Sequence, residues 1–173
     1  MTQTSYVEVY SIDTSSLMHL DGRDWPPPVV PAFSPAERGV IWCGLEQLAR
    51  GGGLKLIRQV KEELRLNHPE ALKRLSVYPG HKAARLNNRL RLRYQNLLAK
   101  YPKLIPRYPN TDPADPWLVV YAQEYALVIV TEELPTGVRK SKSRTIPIPD
   151  VCQQERVPWM DIRTLANHLG WLP

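Results

Sequence analysis

The run Ala126-Leu127-Val128-Ile129-Val130-Thr131 constrains the fold most, because it carries no polar side chain before its final threonine. An uninterrupted β-branched run suits a strand buried on both faces, and such strands belong to parallel sheets covered by helices. Val7 to Ile12 reads as a second buried strand, Leu54-Lys55-Leu56-Ile57 as a short third, and Pro158-Trp159-Met160 as the remnant of another. Helical patterns lie between them. Ser34-Pro35-Ala36-Glu37 supplies a cap, a proline at the first helical position and the glutamate of a capping box. The helix it opens carries Val40, Ile41, Leu45 and Leu48 on its apolar side and should stop at Gly51-Gly52-Gly53. Gln59 to Leu66, Pro79 to Tyr101, Ala114 to Tyr125, a short piece near Ile148 to Cys152, and Asp161 to His168 also read as helix. This alternation predicts an α/β protein, a three-layer α/β/α sandwich with a central, mostly parallel sheet. With 173 residues, 43% of them hydrophobic, a single domain over 1–173 is expected. The segment from Pro26-Pro27-Pro28 to Pro31 can be only a stiff extended connection.

Several function classes are set aside at once. Cys43 and Cys152 lie in apolar periodic segments without metal-ligand spacing, which predicts reduced core thiols and no structural zinc. Nothing in Met1-Thr2-Gln3-Thr4-Ser5 resembles a signal sequence, and no apolar run nears the roughly 20 residues of a membrane span, so a soluble, cytoplasmic protein without a membrane partner is expected. The three glycines lack a following Gly-Lys-Ser/Thr and read as a turn rather than a phosphate loop. His19, His68, His81 and His168 have no ligand spacing, and the five tryptophans read as packing residues.

Charge is segregated. The formal net charge is +6, yet between Ala71 and Thr111 there is no acidic residue, while ten of the chain's 23 lysines and arginines lie there. Within that segment Lys82, Arg85, Arg89 and Arg93 fall along one face of the expected helix, beside an apolar face of Leu86, Leu90, Tyr94 and Leu97. A second basic group, Lys140, Lys142 and Arg144, sits in a loop. These cations are either a solvated face or a seat for a polyanion such as RNA or an acidic protein segment.

The carboxylates carry the chemistry. Asp13 follows the first strand, Glu63 lies in the helix after the second, Asp115 opens a helix and Glu133 comes just past the third strand. Each stands where a parallel sheet turns toward its ligand crevice. Four converging carboxylates repel unless a cation neutralises them, and hard oxygen donors favour magnesium or manganese. Each residue also has a plainer role. Asp13 would end a strand and cap a helix, Asp115 would be a first-turn charge with Asp112 as the cap, Glu62 competes with Glu63, and Glu133 would be a solvated loop residue. Thr14 and Ser15 would either orient a water beside the metal or cap the next helix. Asp150 is a further carboxylate near a helix start.

In order, these motifs resemble those of the PIN-domain superfamily of metal-dependent ribonucleases, many of them toxins of toxin–antitoxin pairs. The matching segments are Ile12-Asp13-Thr14-Ser15-Ser16-Leu17, Val60-Lys61-Glu62-Glu63-Leu64, Ala114-Asp115-Pro116-Trp117-Leu118-Val119-Val120-Tyr121-Ala122 and Val130-Thr131-Glu132-Glu133. Thr131-Glu132-Glu133-Leu134-Pro135-Thr136, the proline-rich entry near position 27 and Ile148-Pro149-Asp150-Val151-Cys152 look like a PIN-like branch of that superfamily. Glu133 stands where the superfamily more often has aspartate, and Ser15 or Ser16 where asparagine is frequent. The resemblance implies a Mg²⁺- or Mn²⁺-dependent endoribonuclease. Asp13, Glu63, Asp115 and Glu133 would hold the metal, and Lys82, Arg85, Arg89, Arg93, Lys140, Lys142 and Arg144 the RNA. It also implies an acidic antitoxin as partner, with a second copy of the chain as a candidate. A noncatalytic RNA- or protein-binding module on the same fold and a structure-specific DNA nuclease are the alternatives.

Overall fold

Strands with no polar face pair where both faces can be covered, and the sheet is built that way. A computed structural model describes residues 8–22, 33–105, 113–138 and 145–173. Strand β1 (Tyr10–Ile12) lies between β2 (Leu54–Lys55) and β3 (Val128–Val130), with β4 (Trp159–Met160) outside β3, in the order β2-β1-β3-β4. Every pair is parallel, with Tyr10 opposite Leu54, Ile12 opposite Val130 and Ile129 opposite Trp159. All residues of β1 and β3 are buried. The polar Ser11 is satisfied inside by donating its hydroxyl to the Lys55 carbonyl at 3.2 Å.

Helices α1 (Thr14–Leu20) and α2 (Pro35–Gly51) lead from β1 to β2. Between β2 and β3 come α3 (Arg58–Asn67), α4 (Pro69–Ser76), α5 (Asn88–Lys100) and α6 (Ala114–Tyr125). Helix α7 (Ile148–Glu155) joins β3 to β4, and α8 (Ile162–His168) follows. The chain leaves β1 toward one edge of the sheet and β3 toward the other. Right-handed crossovers therefore send those connections to opposite faces, which opens a crevice between the carboxyl ends of β1 and β3.

Side-chain contacts tie the layers. Tyr94 of α5 stacks on Trp117 of α6 with centroids 4.1 Å apart. Glu155 at the end of α7 accepts from Lys100, the Tyr101 hydroxyl and Gln123 at 2.6, 2.7 and 2.8 Å. Across the sheet, Arg163 of α8 reaches Glu37 of α2 at 2.9 Å, and the Trp171 ring lies against Gly44. The buried apolar side chains form one continuous cluster that includes Ile12, Leu45, Leu64, Leu118, Ile129 and Leu165. The expected three-layer α/β sandwich is the observed architecture, and its sheet is wholly parallel.

Local signals hold at α2. Ser34 and Glu37 form the reciprocal capping box, and Gly52 ends the helix in the left-handed region at φ 80°. Three expectations need correction. The stretch from Pro79 to Tyr101 is not one helix: a 3₁₀ turn (Pro79–His81) is followed by non-helical residues, and α5 starts only at Asn88, where the Asn87 side chain accepts from the Leu90 N–H at 2.9 Å. Tertiary bonds hold the intervening segment straight, namely the Leu56–Lys82 bridge and the Tyr121 hydroxyl on the Ala84 carbonyl at 2.9 Å. Helix α4, opened by Pro69, interrupts a region with no assigned element. Cys43 is exposed on α2, whereas Cys152 is buried as expected and burial pushes its thiol up to about 12. The proline-rich segment and Asp112 lie outside the described residues, and α6 has Pro113 at its N-cap position.

Two glycines of α2 give opposite expectations. A Cβ at Gly44 would stand 2.2 Å from Trp171 Cε2, while a Cβ at Gly39 would meet nothing within 4 Å. Gly44→Ala should lower stability by about 1–3 kcal/mol through overpacking. Gly39→Ala should raise it by about 0.5–1 kcal/mol through helix propensity. Urea unfolding of the two variants beside the parent chain checks both signs.

Candidate functional site

Asp13 is the first residue beyond β1 and the N-cap of α1. One carboxylate oxygen accepts from the Ser16 N–H at 2.8 Å, and the other accepts from the hydroxyls of Ser15 at 2.7 Å and Thr131 at 2.6 Å. Only 5% of the residue is exposed. Burial raises its carboxyl above the usual range, and the Thr131, Ser15 and Ser16 donors act against that rise. Thr131, immediately after β3, also accepts from the Glu133 N–H at 3.2 Å, so one hydroxyl joins the acids at the ends of β1 and β3.

Glu63 reaches the same crevice from α3. Its carboxylate accepts from the Thr14 hydroxyl at 2.6 Å and the Ala114 N–H at 3.0 Å, which ties α3 to the starts of α1 and α6. Glu62, its competitor, turns outward toward Arg58 at 3.4 Å. Asp115 stands in the first turn of α6. Glu133 accepts from the Ile148 N–H at the start of α7 at 2.6 Å. Asp13, Glu63, Asp115 and Glu133 line one cleft of about 320 Å³, together with Thr14, Ser15, Met18 and Asn67. Asn67 and Met18 were not singled out in the sequence. Asn67 lies four residues after Glu63 and Met18 four after Thr14, so helical spacing places each beside a residue that was.

Helix starts explain how so many acids are tolerated together. Asp13, Glu63 and Glu133 each take a backbone N–H from the first turn of α1, α6 and α7, and Glu132 takes the Ile162 N–H of α8 at 2.9 Å. The positive ends of four helices thus offset carboxylate charge at this edge. The donor set is carboxylate, hydroxyl and amide oxygen, which fits magnesium or manganese rather than zinc. Among the described residues, no group of three or more His, Cys, Asp or Glu side chains is arranged to hold a metal ion. The Glu63 and Glu133 carboxylates each have lone pairs beyond those that accept the Ala114 and Ile148 N–H groups.

Other expected site residues take different places. The hydroxyls of Thr14 and Ser15 donate to Glu63 and Asp13 at 2.6 and 2.7 Å. Asp150 is not among the cleft-lining residues; it accepts from the N–H and hydroxyl of Thr136. The expected cationic stripe is divided. Lys82 and Arg85 precede α5, while Arg89 and Arg93 lie on it and both bind Glu124, at 3.0 and 2.8 Å. Glu124 is distant in sequence, so the charge pattern of the segment could not reveal this pairing. Lys140, Lys142 and Arg144 lie outside the described residues.

A family model described as a domain of unknown function, DUF4411, matches residues 10–172. The chain belongs to the DUF4411 family. The match runs from the first residue of β1 to beyond α8, so all four cleft carboxylates fall within the DUF4411 region. Comparison with curated proteins gives no match.

One acid of this DUF4411 chain gives the cleft's surroundings a measurable signature. Burial pushes the Glu132 carboxyl up to about 7, the charges of Asp161 and Asp13 adding to the effect and the Ile162 N–H and Arg163 opposing it. The folded protein then keeps a proton that the unfolded chain has lost, so stability falls as pH rises from about 4.5 to about 7. Glu132→Gln retains an acceptor for Ile162 and should flatten this dependence. Urea midpoints at about pH 5 and about pH 8 in EDTA measure it, and an unchanged slope in the variant would contradict the assignment.

Proposed function

We propose that this protein is a magnesium- or manganese-dependent endoribonuclease. The observation that carries the reading is the convergence of Asp13, Glu63, Asp115 and Glu133, from four separated segments, on one cleft at the switch point of a parallel sheet. The order of these motifs, similar to that of PIN-domain ribonucleases, supports it. Asp13 and Asp115, with Glu63 and Glu133, would hold the ion, which when bound supplies positive charge to the phosphoryl oxygens and lowers the pKa of water.

The chain's own groups prepare that chemistry. Thr131 and Ser15 fix the Asp13 carboxylate, and Thr14 with the Ala114 N–H fixes Glu63. The N–H groups at the starts of α6 and α7 hold Glu63 and Glu133 and offset part of their charge. Burial of Asp13 leaves it with few water contacts, so its interaction with a cation is screened little. A toxin role follows the same resemblance, with an acidic antitoxin segment able to cover the site.

One observation favours a noncatalytic RNA- or protein-binding module instead. Asp13, Glu63 and Glu133 already have donors that would satisfy them as helix caps in the absence of metal. Two measurements separate the readings. Manganese should raise the melting temperature of the parent protein and do so much less in Asp13→Asn/Asp115→Asn, because ligands are lost while Asn still caps α1. Cleavage of mixed-sequence single-stranded RNA should require the metal and fall by more than about 100-fold in the same variant. A parent protein that neither cleaves RNA nor responds to metal is the noncatalytic module.

A further inference from the structure

Lys61 and Lys82 come from different elements and meet at the β2 end of the sheet. The Leu56–Lys82 bridge continues the pairing beyond β2, and Lys61 stands in the opening turns of α3, its N–H bonded to the Ile57 carbonyl at 3.1 Å. Lys55 closes the group, with Nζ donating to the Gly80 carbonyl at 2.8 Å. The charges of these lysines also act on His81. Burial pushes its imidazole down, the Tyr78 carbonyl opposes that, and Lys61, Lys82 and Lys55 push it down further.

Several other cations among the described residues have carboxylate partners. Arg89 and Arg93 bind Glu124, Arg74 binds Glu46, Lys100 binds Glu155 and Arg163 binds Glu37. Among the described residues, no carboxylate pairs with Lys61, Lys82 or Arg85. Gathered like charges destabilise a fold unless an anion joins them. Lys82 and Arg85 also sit in a non-helical segment, three residues apart and up to about 10 Å along the chain. That spacing suits a linear polyanion better than one carboxylate.

Resting on the nuclease reading, we propose that Lys61, Lys82 and Arg85 form the contact surface for the phosphodiester backbone of a single nucleic-acid strand. The α5 arginines, which share the single carboxylate of Glu124, are not its main seat. The ammonium groups act as point charges on phosphate and release counterions, so the contribution is electrostatic and independent of base sequence.

The test is fluorescence anisotropy of a labelled single-stranded oligoadenylate with the full chain in EDTA, across a salt series. Lys61→Gln/Lys82→Gln should weaken binding about tenfold at low salt and reduce the slope of log K against log salt by about 1.4, the value for two contacts to a single strand. Arg89→Gln/Arg93→Gln should stay within about twofold, as expected for cations already paired on the surface. Lys61→Arg/Lys82→Arg should restore binding, and melting temperatures identify any variant that has not folded. Unchanged affinity in the lysine pair, no binding by the parent protein, or equal displacement by polyglutamate overturns the proposal. Metal-dependent cleavage is scored separately. Cleavage with normal binding by the lysine variant removes only this surface, whereas lysine-dependent binding without cleavage removes only the nuclease.

Discussion

The hydrogen bond from the Thr131 hydroxyl to Asp13, 2.6 Å long, crosses the point where the sheet changes direction, and the rest of the cleft depends on it. β1 and β3 are neighbours whose connections leave toward opposite edges. No helix can fill the gap at their carboxyl ends, so polar side chains must satisfy one another there. Thr131 does so twice, donating to Asp13 and accepting from the Glu133 N–H. Because Thr131 is fully buried, losing its hydroxyl would leave Asp13 short of a donor in a place water reaches poorly.

Electrostatics at this edge follows from helix direction. In a parallel sheet, helices that follow strands begin at the carboxyl edge, and their free N–H groups attract acids. Asp13, Glu63, Glu132 and Glu133 each take one such N–H. The same geometry serves two ends. It keeps the fold stable with its acids crowded, and it fixes the carboxylate oxygens that line the cleft. Burial raises the carboxyls of both Asp13 and Glu132, and repulsion from Asp161 and Asp13 adds to the rise at Glu132 alone.

Cations are sorted by a different rule. Arg89 and Arg93 lie on the helix that packs on α6, where both pair with Glu124 and half of their charge is offset. Lys61 and Lys82 collect near β2 because strand pairing, rather than helix periodicity, sets the position of Lys82. A contiguous run of positive charge in the sequence thus becomes two surfaces with different electrostatic character.

Much of the fold was legible in the sequence, because its signals are local. The apolar run ending at Thr131, the Ser34–Glu37 capping box, the glycine stop after α2 and the bounds of α6 follow from periodicity and capping chemistry that need no distant partner. Strand-end positions marked Asp13 and Glu133, and helix positions with the PIN-like motif order marked Glu63 and Asp115, before their convergence could be seen. Tertiary structure alone decided the rest. The contact of Glu63 with the start of α6 needed the tertiary structure, the late start of α5 needed Tyr121 and the β2 extension, and the pairing of Arg89 and Arg93 needed Glu124. The physical reason is range: caps and periodicity act within a few residues, whereas hydrogen bonds and charge pairing act between whatever groups folding brings within a few ångströms.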